Sequence, residues 1–379
     1  MGDDASVRQA SEAQTDASGR VVAVDVLRGF DMFWLVGGTG FGIAVARLLG
    51  GNAGSFLESQ FDHADWVGFT FYDLIFPLFA FLVGMSLVFS LEKRLQTGGR
   101  WAAYKRLLRR AVLLFVMGLV YYGGFSKEWP DIRLLGVLQR LALCYLFAGI
   151  LFIHLRPRGL IIACLFCLIG YWLLLSFVPV PGTGQTSFDE HGNWAWYVDN
   201  QFLPGHKHYG DYDPEGLLST IPAVATCLLG VFAAFLLRTA ALTPWRKAVL
   251  FLAGGASLAA LGYLWGLQFP VIKKIWTSSY VLVAGGYSFM LLGFFYVLVD
   301  IFGFRAWARP FLWIGANPLT IYMARNMIDF NKLALRFVGG NVQLLAGEEW
   351  GYLLHTGCSL GLSLLVVWFL YRKKIFLRL

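Results

Sequence analysis

Residues 61–84 read FDHADWVGFTFYDLIFPLFAFLVG. The first part is polar and carries Asp62, His63 and Asp65; without a break it turns into an apolar run of helical length. Read as the entry to a membrane helix, it puts Asp62, His63 and Asp65 just outside a bilayer, Asp73 roughly one turn inside it and Pro77 deeper still. An ionisable side chain inside a membrane is costly to keep there, so Asp73 is expected to have a function.

The rest of the chain agrees with that entry. Over 379 residues it is 58% hydrophobic, 17% aromatic and only 14% charged, which excludes a soluble domain and implies an all-α polytopic membrane protein. Windows of about twenty apolar residues fall at 27–48, 69–91, 107–123, 134–154, 159–178, 216–237, 247–268, 279–301, 309–329 and 350–371, predicting about ten transmembrane helices in one bundle. An even number puts both termini on one side. Most of the basic residues fall there, among them Lys93, Arg94, Arg100, Lys105, Arg106, Arg109 and Arg110; the opposite segments hold only Lys127, Lys207, Lys273, Lys274, Lys332 and Arg336. The positive-inside rule then makes the termini cytoplasmic and turns His63 away from the cytoplasm. The net charge of +8 thus reports topology, and no nucleic-acid partner is expected.

Residues 1–20 are polar, rich in Ser, Ala and Asp, and show no cleavable signal; they read as a disordered cytoplasmic tail ahead of one transmembrane domain, 21–379. Cys144, Cys164, Cys167, Cys227 and Cys358 all fall in apolar spans and read as core packing. The long outer loop, 179–215, mixes aromatics with Asp, Asn and His, which fits a sugar-binding surface or an interfacial aromatic belt equally. Its His206 and His208 lack an evident third ligand, so no metal is expected.

Several polar residues carry chemistry. His63, between two carboxylates and near Trp66, has the imidazole of a nucleophile or general base, and a neighbouring acid such as Asp73 can orient it. In RLLGVLQR, Arg133 and Arg140 are seven residues apart on one helix face with Gln139 adjacent, Arg140 lying roughly 10 Å inside the outer end. A buried arginine needs an anion, here Asp73 or a phosphate-bearing ligand. Asp25 and Arg28 have the spacing of a helix-end ion pair, Asp213 and Glu215 sit at a helix N-terminus, and Asn317, Arg325 and Asn326 add polarity to the ninth span.

Eight motifs, in order, carry a resemblance: DVLRG from Asp25, HADW then YDLIFPLFAFLVG from His63, RLLGVLQR from Arg133, PVPG from Pro179, YDPEGLLSTI from Tyr212, KKIWTSSYV from Lys273, GANPLTIY from Gly315 and YRKKIF from Tyr371. Together they cover nearly everything after residue 20, and the chain resembles the heparan-α-glucosaminide N-acetyltransferase-like transmembrane acyltransferases, in particular bacterial members of the NagX type. The resemblance implies transfer of an acetyl group from acetyl-CoA to the amino group of glucosamine, or of a glucosamine-containing glycan, across a bacterial inner membrane. It matches the family's active-site histidine to His63 and its intramembrane aspartate to Asp73. His63 then either accepts the acetyl group or serves as general base. Arg133, Gln139, Arg140 and Arg28 become candidates for contacts to CoA, and Asp62, Trp66, Glu215, Trp276 and Asn317 for contacts to the amino-sugar acceptor. A homodimer is the oligomeric state the resemblance implies. Thr39 and Arg325 depart from the pattern, standing where the lysosomal relatives carry asparagine and histidine. The rival readings are an O-acetyltransferase of an envelope glycan and a transporter of amino sugars or cell-wall fragments.

Overall fold

The computed structural model describes residues 21–376, so the tail expected at 1–20 lies outside the described residues. The chain is an all-α polytopic membrane protein. Its helices are α1 (Val22–Phe33), α2 (Thr39–Leu49), α3 (Gly51–Gln60), α4 (Phe71–Tyr121), α5 (Val137–His154), α6 (Pro157–Phe177), α7 (Trp194–Phe202), α8 (Thr220–Arg238), α9 (Pro244–Gly266) and α10 (Ser278–Phe295). They continue with α11 (Arg309–Ala316), α12 (Pro318–Met327), α13 (Phe330–Val338), α14 (Asn341–Ala346) and α15 (Glu348–Arg372). Among the described residues, eight helical stretches are long and apolar enough to cross a membrane, against the ten windows in the sequence.

The difference lies in two places. Helix α4 has 51 residues, which would make a straight rod of roughly 75 Å. It is not straight, because Tyr72 near its start and Tyr122 just past its end line the same cavity. The chain folds back at Gly99, whose φ of 68° and ψ of −168° belong to a region that only glycine enters without strain. The windows at 69–91 and 107–123 are therefore the two limbs of one hairpin. The window at 309–329, in contrast, is split into α11 and α12. Asn317 (φ −135°, ψ 48°) breaks the helix, as the residue before a proline tends to.

Packing follows the pattern of burial. The first limb of α4, α5, α8 and α10 form the centre, while α6 and α9 bury only one stripe each, including Leu168 and Phe251, and leave broad apolar faces exposed. The central crossing is tight because two glycines face opposite backbones: a side chain on Gly84 would collide with the Cys227 carbonyl, and one on Gly230 with the Phe81 carbonyl. Where a polytopic helix loosens, its freed carbonyls need donors. Between α1 and α2 a π-helical turn at Trp34–Gly38 does this, and Thr39 Oγ1 donates to Trp34 O (2.9 Å) while the Arg325 guanidinium donates to Val36 O. The two positions that depart from the family pattern thus meet at one kink.

One end of the bundle gathers the end of the first α4 limb, the start of the second and the ends of α5 and α8, tied by Arg238 to Glu92 and by Tyr104 to His154. The opposite end holds His63, Asp73, Arg133 and Glu215.

Candidate active site

The polar stretch opening at Phe61 stays out of helix until Thr70, which caps α4. Thr70 and Asp73 form a capping box, the threonine side chain accepting from the Asp73 N–H and Asp73 Oδ2 accepting from the Thr70 N–H (3.2 Å). The sequence signal was present as T-x-x-D ahead of an apolar run. Asp73 is thus a helix-start residue that is nonetheless fully buried. Its Oδ2 also accepts the Ala64 N–H (3.2 Å), fixing the loop that carries His63.

The other carboxylate oxygen faces the chemistry. Asp73 Oδ1 lies 2.8 Å from His63 Nδ1 and 3.2 Å from Lys273 Nζ. An ionised carboxylate only accepts, so the contact to Oδ1 puts the proton on Nδ1 and leaves Nε2 as the ring's acceptor, within 3.4 Å of the Lys273 ammonium. The imidazole also stacks on Tyr72 (ring centroids 4.7 Å apart, 27° between planes). About half of its surface is open, and it stands at the mouth of a cavity of about 290 Å³. The cavity's floor is apolar, from Met32, Leu35, Phe76, Phe79, Leu138 and Leu141; its rim carries Tyr122, Arg133, His208, Glu215, Lys273 and Lys274.

Lys273 is the residue that sequence reasoning missed. It arrives from 210 residues away because the loop before α10 pairs with the loop before α4, through an antiparallel bridge of Val67 with Ile272 and a hydrogen bond from Gly68 N–H to Val271 O (2.9 Å). Nζ stands 2.9 Å from His63 Nδ1 and 3.4 Å from Nε2. Burial draws its ammonium below the ordinary lysine range, against the opposing pull of Asp73. The one available signal was that Lys273 and Lys274 form the only adjacent basic pair in the sparsely charged segments that the basic-residue count assigns to the outer side.

The arginines behave otherwise than expected. Arg133 reaches the rim, but its guanidinium is taken by a bidentate contact to Asp213 (both 2.7 Å) and one to Glu215 (2.7 Å), and it lies over the Tyr122 ring. No charge on it is left over for a phosphate. Arg140 makes no ion pair with Asp73 or, among the described residues, with any other acid; it donates to the Ser219 hydroxyl and to Gly216 O (3.3 Å) and sits 4.9 Å above the Trp276 ring. Asp73 had a nearer cation in Lys273 and a nearer ring N–H in His63. Gln139 packs against Gly118 beside the Arg133 carbonyl (3.5 Å). Arg28 bonds Asp25 (3.0 Å) and Ser86 (3.0 Å) and does not line the cavity.

Of the acceptor candidates, Glu215 alone lines the cavity. Burial, and then the charge of Asp213, push it up to about 7. Asp62 is exposed and folds back on its own loop, accepting the His63 N–H (2.8 Å). Trp66 spends its indole N–H on Phe188 O (2.8 Å). Trp276 is core, 1% exposed and bonded to Thr226 (3.1 Å), and Asn317 reaches Ile375 O (3.0 Å). The outer loop is largely self-satisfied, Trp194 bonding Val178 O (2.7 Å) and Trp196 bonding Asp211 (2.6 Å), yet it delivers His208, Tyr209, Pro214 and Glu215 to the cavity. Among the described residues no group of three or more His, Cys, Asp or Glu is arranged to hold a metal.

A family model described as heparan-alpha-glucosaminide N-acetyltransferase, catalytic, matches residues 20–265. The chain belongs to that family. A heparan-alpha-glucosaminide N-acetyltransferase of Homo sapiens is 28% identical over 394 residues, an alignment that takes in 88% of this chain and 58% of the human protein. The Mus musculus protein of the same name is 25% identical over 421 residues, covering 96% and 61%. The chain therefore spans about three-fifths of the length of these relatives. His63, Asp73, Arg133 and Glu215 fall within the stretch that the family model matches, and Lys273 lies just beyond it.

Proposed function

We propose that the chain is an acetyltransferase that moves an acetyl group from cytoplasmic acetyl-CoA to the amino group of glucosamine, or of a glucosamine-containing glycan, at the non-cytoplasmic face of a bacterial inner membrane. The observation that carries this reading is the His63–Asp73 contact of 2.8 Å at the mouth of the cavity, in a chain of this family. Ten apolar windows give ten crossings, two of them the limbs of α4 and one broken at Asn317, and the basic-residue distribution makes both termini cytoplasmic; His63 then faces outward.

The chemistry suits an activated thioester. In one course, Nε2 attacks the thioester carbonyl, the carbon–sulfur bond breaks and the thiolate leaves; a neutral sugar amine then attacks the acetyl-imidazole, the electron pair returns to Nε2, and the amine's surplus proton passes to the freed imidazole or the thiolate. In the other, the amine attacks the thioester directly, Nε2 takes its proton, and the carbon–sulfur bond breaks so that CoA leaves as the thiolate, which can take the proton from Nε2. Asp73 serves both, by holding the Nδ1–H tautomer and balancing charge on the ring. Lys273 and Lys274 bring positive charge to the rim, where a carbonyl oxygen gains charge as the tetrahedral intermediate forms. Glu215 is the acid placed to meet the acceptor's ammonium. The cavity lies at the small end of ligand sites, which suits the acetyl-bearing tip of CoA and an amino sugar rather than the whole nucleotide.

The test is a proteoliposome assay with labelled acetyl-CoA on one side and glucosamine on the other. Labelled N-acetylglucosamine on the glucosamine side is the expected product. Label on a sugar hydroxyl, lost in mild base, would favour the O-acetyltransferase, and passage of unmodified glucosamine with no CoA released would favour the transporter.

A further inference from the structure

The Lys273 side chain places a primary amine 3.4 Å from His63 Nε2, the nitrogen at which the acetyl group is carried or activated. A sugar amine that attacks this acetyl group must come to the same neighbourhood. Lys273 is therefore built like an internal acceptor, and it is closer to the reacting nitrogen than any diffusing substrate is before it binds. An enzyme that let this amine react would acetylate itself and stop. What stands in the way is the ion pair with Asp73, whose Oδ1 is 3.2 Å from Nζ. An ammonium has no lone pair and cannot attack a carbonyl.

We propose that Lys273 is a latent self-acetylation site and that Asp73, besides orienting His63, guards it by holding the amine as an ammonium. The inference rests on the acetyltransferase reading above. The forbidden step is balanced: neutral Nζ attacks the acetyl carbon, a carbon–nitrogen bond forms, the bond from the acetyl carbon to Nε2 or to sulfur breaks, and the departing imidazole or thiolate takes the surplus proton. The product is a stable amide. It also removes a positive charge from the rim, so the modified protein is inactive.

The groups that face Lys273 set the guard. They are Asp73 and His63, the Tyr72 ring 5.9 Å away, and Glu215 acting at longer range across the cavity. Of these only Asp73 makes an ion pair with Nζ at close range. Burial already pulls the ammonium toward losing its proton, so the guard is needed.

The experiment uses the full chain in proteoliposomes with labelled acetyl-CoA and no acceptor, followed by digestion and mass spectrometry of the Lys273 peptide. Hydroxylamine removes acetyl from imidazole but not from lysine. Two perturbations strip the guard: Asp73→Asn at pH 7.5, and wild type shifted to about pH 9.5. In wild type the shift is expected to raise acetyl-Lys273 at least tenfold over pH 7.5; in Asp73→Asn, which also slows His63, acetyl-Lys273 is read relative to that variant's own rate of transfer to glucosamine, and this ratio is expected to rise at least tenfold over the wild-type ratio, with Lys332, 84% exposed, as the control for spontaneous acetylation. Adding His63→Ala to either is expected to return Lys273 to the Lys332 level. If wild type acetylates glucosamine while Lys273 never exceeds Lys332 under both perturbations, the guard is refuted and the acetyltransferase stands. Labelling of Lys273 that persists in His63→Ala also overturns it. If wild type labels neither glucosamine nor Lys273 at either pH, the acetyltransferase reading has failed and the inference falls with it.

Discussion

Replacing Asp73 with asparagine separates its structural work from its chemical work. The carboxylate accepts from His63 Nδ1, Lys273 Nζ, the Ala64 and Thr70 N–H groups and the Thr70 hydroxyl. An amide offers one oxygen and one NH₂ in the same space. With the oxygen toward His63, the NH₂ points at the Ala64 and Thr70 N–H groups, and the helix cap weakens by about 1 kcal/mol. With the oxygen toward the cap, the NH₂ faces Nδ1 and imposes the opposite tautomer, which puts the proton on Nε2. In either case the charge that supports a cationic or acylated ring is gone. By analogy with aspartates that orient catalytic histidines elsewhere, Asp73→Asn lowers the transfer rate about 10²- to 10⁴-fold, or roughly 2.7–5.4 kcal/mol of barrier. Asp73 is not among the residues lining the cavity, so KM for glucosamine should stay within about threefold. Initial rates from labelled acetyl-CoA, with circular dichroism to confirm folding, measure this. A variant within threefold of the wild-type rate would refute the orienting role.

Arg133→Met leaves Asp213 and Glu215 buried against each other without their cation, and is expected to cost about 3–5 kcal/mol of stability, read as loss of monodisperse protein after heating. The same loss should be relieved when Glu215→Gln is added. For Glu215 itself the sign is fixed by its raised value: the folded state holds the proton more tightly than the unfolded one, so stability falls as pH rises from about 4.5 to about 7. In Glu215→Gln that part of the slope should vanish, and an unchanged profile would contradict the assignment. Gly84→Ala drives a methyl group into the Cys227 carbonyl and should prevent the first α4 limb from seating on α8, with little folded protein recovered; normal yield and activity would show that the crossing is looser than described.

Much of the architecture was legible because a bilayer imposes it. Each apolar window in the sequence coincides with helix, and the deviations occur where backbone chemistry intervenes, at Gly99 and at Asn317–Pro318. The proximity of His63 and Asp73 was legible for a local reason, since ten residues and one capping box separate them. Partners contributed by other helices were not. Nothing in RLLGVLQR indicates that Arg133 will meet Asp213 and Glu215 some eighty residues on, or that Arg140 will settle on an aromatic ring and a hydroxyl. A lone acid inside a span pointed to an arginine, and the acid found a lysine instead. That lysine arrived through a two-residue β-bridge, a feature too short to leave a pattern in sequence. Trp276 shows the reverse error. It was expected among the acceptor contacts, but it adopts a positive φ of 53° and its indole is buried in the core.

The central claim is that His63 handles the acetyl group, and the rate of acetyl transfer to glucosamine by His63→Ala tests it most directly. The side chain is half exposed at the cavity mouth, so its removal leaves the bundle intact. The account predicts a rate at least 10²-fold below wild type in folded protein, and transfer at the wild-type rate would contradict it.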